Sequence, residues 1–275
     1  MKMPSDLAEK GTRFTLNRYQ HFFNRKLTIK KPITFTDKIH HFIIAAHWQD
    51  IKIVTEMTDK INVRTYVASQ IGLKYLNEVI WTSSKIDDAP LQDYACGNWI
   101  LKTNHGCGGH QVIRQNHLNE IRQAIKNLLT KNYYFAAAEP QYFFIEPKAF
   151  IEKLVKSDRN KPPLMFRLWC FTGSVALIQA DDGNPVSPFY NRQWQDMQIS
   201  RVNGKPPESQ IKRPENLNEL IRIAEKLSKP FRFVRVDLYN ENGIIRFSEL
   251  TFTPLAGNIF FNPKIWDLIL GKLWQ

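Results

Sequence analysis

The stretch FVRVDLYNENGIIRFSELTF, residues 233–252, decides the fold of this chain. Residues 233–239 and 244–252 are rich in Val, Ile, Phe and Tyr, which predicts two strands. The polar segment between them, residues 240–243, reads Asn-Glu-Asn-Gly and predicts a tight turn. The sequence therefore predicts an antiparallel hairpin.

The turn sets which residues of the two strands face each other. We expect a three-residue turn in which Gly243 takes the left-handed conformation, so that Asn240 pairs with Ile244. In that register Asp237 lies opposite Phe247. The acidic residues of the two strands are then diagonal neighbours rather than direct partners.

Asp237 and Glu249 are the two acidic residues that the hairpin places on one face. Diagonal neighbours lie roughly 7–8 Å apart, a gap that Mg²⁺ can span when two carboxylates lean inward. Arg235 and Thr251 share this face because side chains alternate along a strand. A solvated face of an amphipathic hairpin is the alternative interpretation. The other face is predicted to point into a core and carries Val234, Val236 and Leu238.

Composition and charge narrow the class of partner. A chain of 275 residues with 43% hydrophobic and 23% charged residues can bury a large core, as one domain or two. The net charge of +12, from 38 basic and 26 acidic residues, favours a polyanionic partner such as nucleotide phosphates, an acidic polysaccharide or an anionic membrane surface. No helix-turn-helix or zinc-finger signature accompanies this charge, so we expect no nucleic-acid partner.

The sequence also predicts a location. No apolar run approaches the length of a membrane span, and residues 1–6 lack the apolar stretch of a secretion signal, so we expect a cytoplasmic protein. The three cysteines, Cys96, Cys107 and Cys170, lack metal-ligand spacing and are expected to be reduced. Residues 265–274 predict a helix that docks on the core, with peripheral contact at the inner membrane surface as the alternative.

The rest of the chain predicts helices and strands in alternation, which is typical of an α+β protein. Helices are predicted at 37–48, 59–71, 118–129 and 216–228. Strands are predicted at 98–102, 112–113 and 150–155, with two more within 166–180. Residues 181–207, rich in Gly, Pro and Asn, predict an irregular loop.

A glycine-rich loop follows the strand that ends at Lys102. Its glycines let backbone amides approach a phosphate closely, and the lysine neutralises that phosphate. The lysine precedes the glycines and a strand follows them, unlike a Walker loop, so we expect a flap over phosphates. A glycine-rich turn without a ligand is the alternative. The loop contains Gly106, Gly108 and Gly109.

The order of these motifs resembles that of the ATP-grasp superfamily, and in particular its TupA-like group, linked to teichuronopeptide and surface-polysaccharide biosynthesis. The resemblance covers nearly the whole chain. It is carried by the segments 58–68, 101–106, 151–155, 233–239 and 249–254. It implies an α+β, ATP-grasp fold in which two α+β subdomains clasp ATP. The expected division is a helical region at 1–92, a subdomain with the glycine loop at 93–155, and a subdomain with the metal site at 156–275.

The resemblance also implies a role for each matched residue. Lys60 and Lys102 are expected to contact ATP phosphates beneath the glycine loop, and Glu152 and Val155 to lie in the hinge that receives adenine. The metal and catalytic roles go to five further residues: Asp237 and Glu249 as Mg²⁺ ligands, Thr251 where ordinary members have Asn, Arg235 facing the γ-phosphoryl group, and Arg167 touching phosphate or substrate.

The activity implied by the resemblance is an ATP-dependent carboxylate–amine ligase that forms an amide through an acyl phosphate. The carboxylate is expected to belong to a uronic acid of a surface polysaccharide, such as a capsule, or its precursor, and the amine to an amino acid. Trp169, Tyr190 and Trp194 either stack on sugars or pack internally. The alternative function is a metal-dependent glycosyltransferase that uses the pairs Asp181-Asp182 or Asp87-Asp88.

Overall fold

The structure, a computed structural model, describes residues 1–158, 161–201 and 211–275. Its α-helices lie mainly in the first quarter of the chain and around two antiparallel sheets, which confirms the α+β class with a helical amino-terminal region. The α-helices are α1 (Ser5–Phe23), α2 (Phe35–Trp48), α3 (Lys52–Thr58), α4 (Val63–Ile71), α5 (Leu118–Leu129), α6 (Tyr134–Ala137), α7 (Leu217–Ser228) and α8 (Ile265–Leu273).

The first sheet has the strand order β1-β4-β2-β3. These strands are β1 (Val79–Ser83), β2 (Cys96–Thr103), β3 (Gln111–Arg114) and β4 (Ala149–Lys153). Neighbouring strands are antiparallel, and β2 and β3 form a hairpin whose turn is the glycine-rich loop. The first strand comes from the residues ahead of 93, so this sheet draws on both sides of the expected boundary. The division into three regions stays a prediction.

The second sheet has the order β7-β6-β5-β8-β9. Its strands are β5 (Met165–Phe171), β6 (Ser174–Asp181), β7 (Phe189–Tyr190), β8 (Phe233–Glu241) and β9 (Ile244–Thr251). One face packs on α7 and α4 through a core that contains the fully buried Val234, Val236 and Leu238. This confirms which residues of the hairpin point inward.

The β8–β9 hairpin has a different turn from the one predicted. Glu241 pairs with Ile244, so the turn has two residues, and both Asn242 (φ 52°) and Gly243 (φ 76°) are left-handed. Two left-handed residues match the twist of the flanking strands, and Asn-Gly adopts that conformation readily. The predicted pairing of Asn240 with Ile244 was therefore wrong.

The register slips again further along the hairpin. Leu238 faces Phe247, but Asp237 faces Glu249, so Ser248 is an extra residue on β9. Such a bulge re-aims the side chains that follow it. Asp237 and Glu249 are consequently direct partners rather than diagonal neighbours, and Arg235 pairs with Thr251.

The terminal helices pack against the second sheet rather than standing apart from it. Leu270 of α8 is fully buried, and Trp274 lies against Phe35 and Phe233. The Asp267 carboxylate accepts hydrogen bonds from the amide (2.9 Å) and hydroxyl (2.7 Å) of Thr36. The expected docking of this segment on the core is confirmed. In the described ranges no helix is both long enough and apolar enough to cross a membrane.

Most predicted elements are confirmed with small changes at their ends. The helix expected at 59–71 begins only at Val63. Asp59 lies in the turn that precedes it, where its Oδ1 accepts hydrogen bonds from the amides of Ile61 (2.8 Å) and Asn62 (3.1 Å). The irregular loop expected at 181–207 contains the short strand β7, and its last residues, 202–207, lie outside the described ranges.

Candidate active site

A cavity of about 580 Å³ lies between the two sheets. The first sheet and its glycine loop supply one wall, and the second sheet supplies the other. Every predicted site residue except Gly109 and Thr251 lines it. The lining includes Lys60, Lys102, Gly106, Gly108, Glu152, Val155, Arg167, Arg235, Asp237 and Glu249.

The two acidic residues of the hairpin converge on a single point in this cavity. Nη2 of Arg235 lies 2.6 Å from Oδ2 of Asp237 and 3.7 Å from Oε1 of Glu249. Nε of Arg235 donates a second hydrogen bond to Asp237, at 2.7 Å. The Thr251 hydroxyl donates to Glu249 (3.0 Å) and accepts from Arg235 (3.1 Å). Two carboxylates and a hydroxyl therefore face the guanidinium group of Arg235.

This set of oxygen atoms fits Mg²⁺, which prefers carboxylate and hydroxyl oxygens and usually keeps other positions for water or phosphate. Among the described residues, no three His, Cys, Asp or Glu side chains surround one point. Asp237 and Glu249 alone would therefore supply the carboxylates, with Thr251 as a neutral oxygen.

Electrostatics in the cavity favour additional positive charge beside Asp237. Burial, and next the charge of Glu249, raise the pKa of Asp237 above its ordinary value, despite Arg235 and Arg167. Burial also acts to raise the pKa of Glu249, but the charges of Lys60 and Arg235 outweigh it and the pKa is lowered. The ionised form of Glu249 is therefore already stabilised, and an additional cation would mainly stabilise the ionised form of Asp237.

Two lysines, Lys60 and Lys102, also line the cavity. Nζ of Lys60 lies 3.5 Å from Oε2 of Glu249 and donates to the carbonyl of Gly106 at 2.6 Å. Lys102 forms an ion pair with Glu152 across β2 and β4. Burial opposes the charge of Lys102, but Glu152 outweighs it, and the pKa of Lys102 is raised. Both lysines are placed to neutralise a phosphate chain.

Arg167 extends the cationic wall of the cavity, and Arg201 lies within electrostatic reach of it. Nη1 of Arg167 lies 2.5 Å from Asp181, and its Nε lies 3.8 Å from Asp237. Arg201 was missed by the sequence reasoning, which placed it within an irregular loop. Burial, followed by the charges of Arg235 and Arg167, lowers the pKa of Arg201 to about 10. The charges of Arg167, Arg201 and Arg235 repel one another, so additional negative charge beside them, such as that of a polyphosphate, would be favourable.

The glycine loop has the backbone that a flap requires. Gly106 (φ 73°), Gly108 (φ 75°) and Gly109 (φ 71°) are all left-handed. A Cβ on Gly106 would collide with the ring of Tyr133, whereas a Cβ on Gly108 would meet open space. The side chain of Cys107 contacts the Tyr133 hydroxyl at 2.5 Å.

The remaining candidates of the sequence reasoning are engaged elsewhere. Gly109 packs on Leu128 outside the cavity. Trp169 is fully buried, so it packs internally and does not offer a face to a sugar. Tyr190 and Trp194 stack on each other, with ring centroids 4.0 Å apart. In the acidic pairs proposed for a glycosyltransferase, three of the aspartates form separate ion pairs with basic side chains. Asp181 pairs with Arg167, Asp182 with Lys161 at 3.5 Å, and Asp87 with Lys126 at 3.5 Å.

Two antiparallel sheets enclosing a cavity with paired carboxylates and several cationic side chains define the class: an α+β protein with a strongly charged cavity between its sheets. Within that class the chain belongs to the TupA-like ATP-grasp family, whose model matches residues 43–275. The fold is accordingly ATP-grasp, and the family expected from the sequence is confirmed.

Two solved structures are similar to parts of this chain. An ATP-complexed D-alanine–D-alanine ligase from Bacillus anthracis has 15% identity and a TM-score of 0.41, covering 72% of this chain and 54% of that one. The L-amino acid ligase from Bacillus licheniformis has 12% identity and a TM-score of 0.46, covering 88% of this chain and 54% of that one. The chain spans about half the length of these structures. No curated protein sequence matches it.

Proposed function

We propose that this protein is an ATP-dependent carboxylate–amine ligase. The observation that carries the proposal is the direct pairing of Asp237 with Glu249 in a cavity whose other charged groups are mostly cations. Paired carboxylates hold the metal of a nucleotide triphosphate, and fixed lysines and arginines balance its phosphates. Membership of the ATP-grasp family supports ATP as the nucleotide.

The residues then take distinct roles. Asp237 and Glu249, with Thr251 as a third oxygen, hold Mg²⁺, which supplies positive charge against the phosphates when it is bound. Lys60 and Lys102 bind phosphate oxygens, and Arg235 faces the γ-phosphoryl group. The cationic wall is completed by Arg167 beside the substrate.

The glycine loop and the first sheet bind the rest of the nucleotide. Gly106, Gly108 and Gly109 keep the loop flexible enough to close over the phosphates. Backbone groups near Glu152 and Val155 receive the adenine edge. Closure of this wall on the second sheet would exclude water from the reacting groups.

The proposed reaction has two steps. A substrate carboxylate oxygen attacks the γ-phosphorus, and ADP leaves as an acyl phosphate forms. The nitrogen of an amine then attacks the acyl carbon, phosphate leaves, and the nitrogen loses a proton as the amide forms. Arg235 and the lysines are fixed before the reaction, so they stabilise developing charge without reorganising.

The basic surface supports an acidic substrate. With a net charge of +12, the protein attracts polyanions, and a uronic acid of a surface polysaccharide or its precursor offers both negative charge and a carboxylate. The amine is proposed to be an amino acid.

Peripheral contact with a membrane surface is proposed through α8, whose Ile265 (53%), Ile269 (36%) and Leu273 (41%) remain exposed.

Nucleotide consumption tests this function. The protein is incubated with Mg²⁺, ATP, glucuronate oligosaccharides and a mixture of amino acids, and ADP and phosphate are measured. We expect release that requires both acid and amine, and that Asp237→Asn and Glu249→Gln abolish it. Asp87→Asn makes the same chemical change on the surface and should have no effect.

Two results would contradict the proposal. Undiminished ADP release in Asp237→Asn or Glu249→Gln would remove that residue from the metal site. Release of a nucleoside diphosphate from a sugar nucleotide, without ATP, would instead support the glycosyltransferase.

A further inference from the structure

A second buried carboxylate lies outside the cavity. Glu139 precedes the turn Pro140–Tyr142, and only 7% of its surface is exposed. Its Oε1 accepts a hydrogen bond from the Thr253 hydroxyl. Among the residues that the structure describes, Oε2 has no hydrogen-bond partner, and the carboxylate has no ion pair. A buried carboxylate without a counter-ion is costly to maintain, so it calls for a cationic ligand or a proton.

The position of Glu139 links it to the proposed metal pair. Thr253 follows two residues after Thr251 on the chain that leaves β9. Burial, and then the charges of Glu139 and Glu249, raise the pKa of the Tyr142 phenol, which therefore lies within electrostatic reach of both carboxylates. Glu139 is thus connected, through Thr253, to the end of the hairpin that carries the proposed metal pair.

A basic side chain stands near Glu139 without pairing with it. Arg18 of α1 donates to the carbonyls of Ala137 (2.6 Å) and Ala256 (3.0 Å), which clamps the two segments that flank Glu139 and Thr253. Its Nε is buried without a partner. Arg18 lies ahead of residues 43–275, so the family match does not include it.

Gln141 adds an acceptor to this cluster. Its Nε2 donates to the Thr253 hydroxyl at 2.6 Å, while its Oε1 is buried without a partner. The cluster therefore offers unpaired acceptors on Glu139 and Gln141 and an unpaired donor on Arg18. An ammonium group matches the acceptors, and a carboxylate matches the donor.

We propose that Arg18, Glu139 and Gln141 form the amine subsite and that the amine is an α-amino acid, with its ammonium group at Glu139 and its carboxylate at Arg18. This rests on the proposed ligase function. As the amide forms, the ammonium nitrogen gives one proton to the Glu139 carboxylate and bonds to the acyl carbon, the bond from that carbon to the phosphate oxygen breaks, and the departing phosphate takes the second proton.

The pH dependence of amine binding follows from this arrangement. Burial raises the pKa of Glu139 to about 7, with the Thr253 hydrogen bond and the charge of Arg18 acting against the rise. Binding of an ammonium group needs the ionised carboxylate, so affinity is lost as the pH falls through that value.

Titratable groups face Glu139 from neighbouring elements. Burial raises the pKa of the Tyr142 and Tyr133 phenols, and burial lowers the pKa of Arg18 against the charge of Glu139. On α2, burial lowers the pKa of His40 to about 4, so it stays neutral. On α3, an exposed ion pair joins Lys52 and Glu56.

Isothermal titration calorimetry tests the subsite without turnover. The protein is saturated with Mg²⁺ and a non-hydrolysable ATP analogue, and the twenty amino acids are titrated one at a time at pH 8. We expect at least one to bind, with tenfold or greater weakening at pH 5.5. Glu139→Gln and Arg18→Met should each weaken it at least tenfold. The control variant Glu146→Gln makes the same chemical change at an exposed residue seven positions further along the chain, and it should leave the affinity for the amino acid unchanged.

The outcomes separate the subsite from the ligase. If the nucleotide analogue binds but no amino acid does, or if Glu139→Gln keeps full affinity, the subsite is refuted and the ligase stands. If the analogue itself fails to bind the unaltered protein, the proposed function is refuted. If Glu139→Gln also fails to bind the nucleotide analogue, the variant Glu139→Asp is measured instead. Weakened but pH-dependent binding of the amino acid to Glu139→Asp supports the subsite, and binding without pH dependence overturns it.

Discussion

The two buried acidic clusters of this molecule differ in how their charge is balanced. Asp237 and Glu249 face Arg235 and Lys60 at distances that allow direct pairing. Glu139 has a hydroxyl as its hydrogen-bond partner and no ion pair in the described residues. The first cluster is organised to hold a cation between anions, whereas the carboxylate of the second has no ion-pair partner among the described residues. We assign the first cluster to the metal nucleotide and propose the second for an ammonium group.

The largest effect should come from breaking the balanced cluster. Arg235→Met leaves Asp237 buried without its main partner, so we expect a loss of ~3–5 kcal/mol in the free energy of unfolding. Chemical denaturation measures this loss. The double variant Arg235→Met/Asp237→Asn should lose less than the single variant, because the stranded charge is gone. A loss below about 1 kcal/mol in Arg235→Met would contradict the balanced pairing.

The uncompensated cluster should respond in the opposite direction. The pKa of Glu139 is raised to about 7, so its contribution to stability is present below the unfolded pKa and declines as the pH rises through about 7. Glu139→Gln lacks this decline and should gain about 3 kcal/mol relative to the unaltered protein between pH 4.5 and pH 8. Thermal unfolding at several pH values measures it. A pH-independent difference would show that Glu139 is paired after all.

The glycine loop provides a smaller, paired test of the nucleotide side. Gly106→Ala combines left-handed strain with a collision against Tyr133, and we expect a loss of roughly 2–3 kcal/mol together with weaker Mg-ATP binding. Gly108→Ala meets open space and should lose only about 1 kcal/mol. Differential scanning fluorimetry with and without Mg-ATP compares them. Equal losses would mean that Tyr133 does not restrict the loop.

The smallest effect is expected on the surface. Asp87 pairs with Lys126 at 3.5 Å, and its side chain is 67% exposed. Asp87→Asn should change the free energy of unfolding by less than about 0.5 kcal/mol, because water and salt screen such pairs. Urea unfolding of this variant sets the baseline for the buried carboxylates. A loss above 1 kcal/mol would show that exposed acidic pairs matter more than this account allows.

The sequence predicted most of the fold because its signals are local. Alternating apolar residues predicted β8 and β9, and the 3.6-residue period predicted α5 with its observed ends, Leu118–Leu129. The shared face of Asp237 and Glu249 was also predictable, since it needs only the alternation of side chains. The bulge at Ser248 was not, because one extra residue leaves no mark on composition or hydropathy.

The parts that the sequence reasoning missed are assembled from distant segments. Arg201 comes within electrostatic reach of Arg235 and Arg167 from a loop with no regular pattern, and Arg18 reaches Ala256 across 238 positions. The contact between Glu139 and Thr253 likewise depends on the tertiary fold. A charged residue in a helix or loop is usually solvated, so nothing local distinguished these residues from surface ones.

A crystal structure of the protein with Mn²⁺ and a non-hydrolysable ATP analogue would locate the metal through the anomalous signal of manganese. We predict an anomalous peak within about 2.3 Å of carboxylate oxygens from both Asp237 and Glu249. The Arg235 guanidinium should then face the terminal phosphate. A peak held by other residues, with these two carboxylates still joined through Arg235, would contradict the metal site on which the proposed function depends.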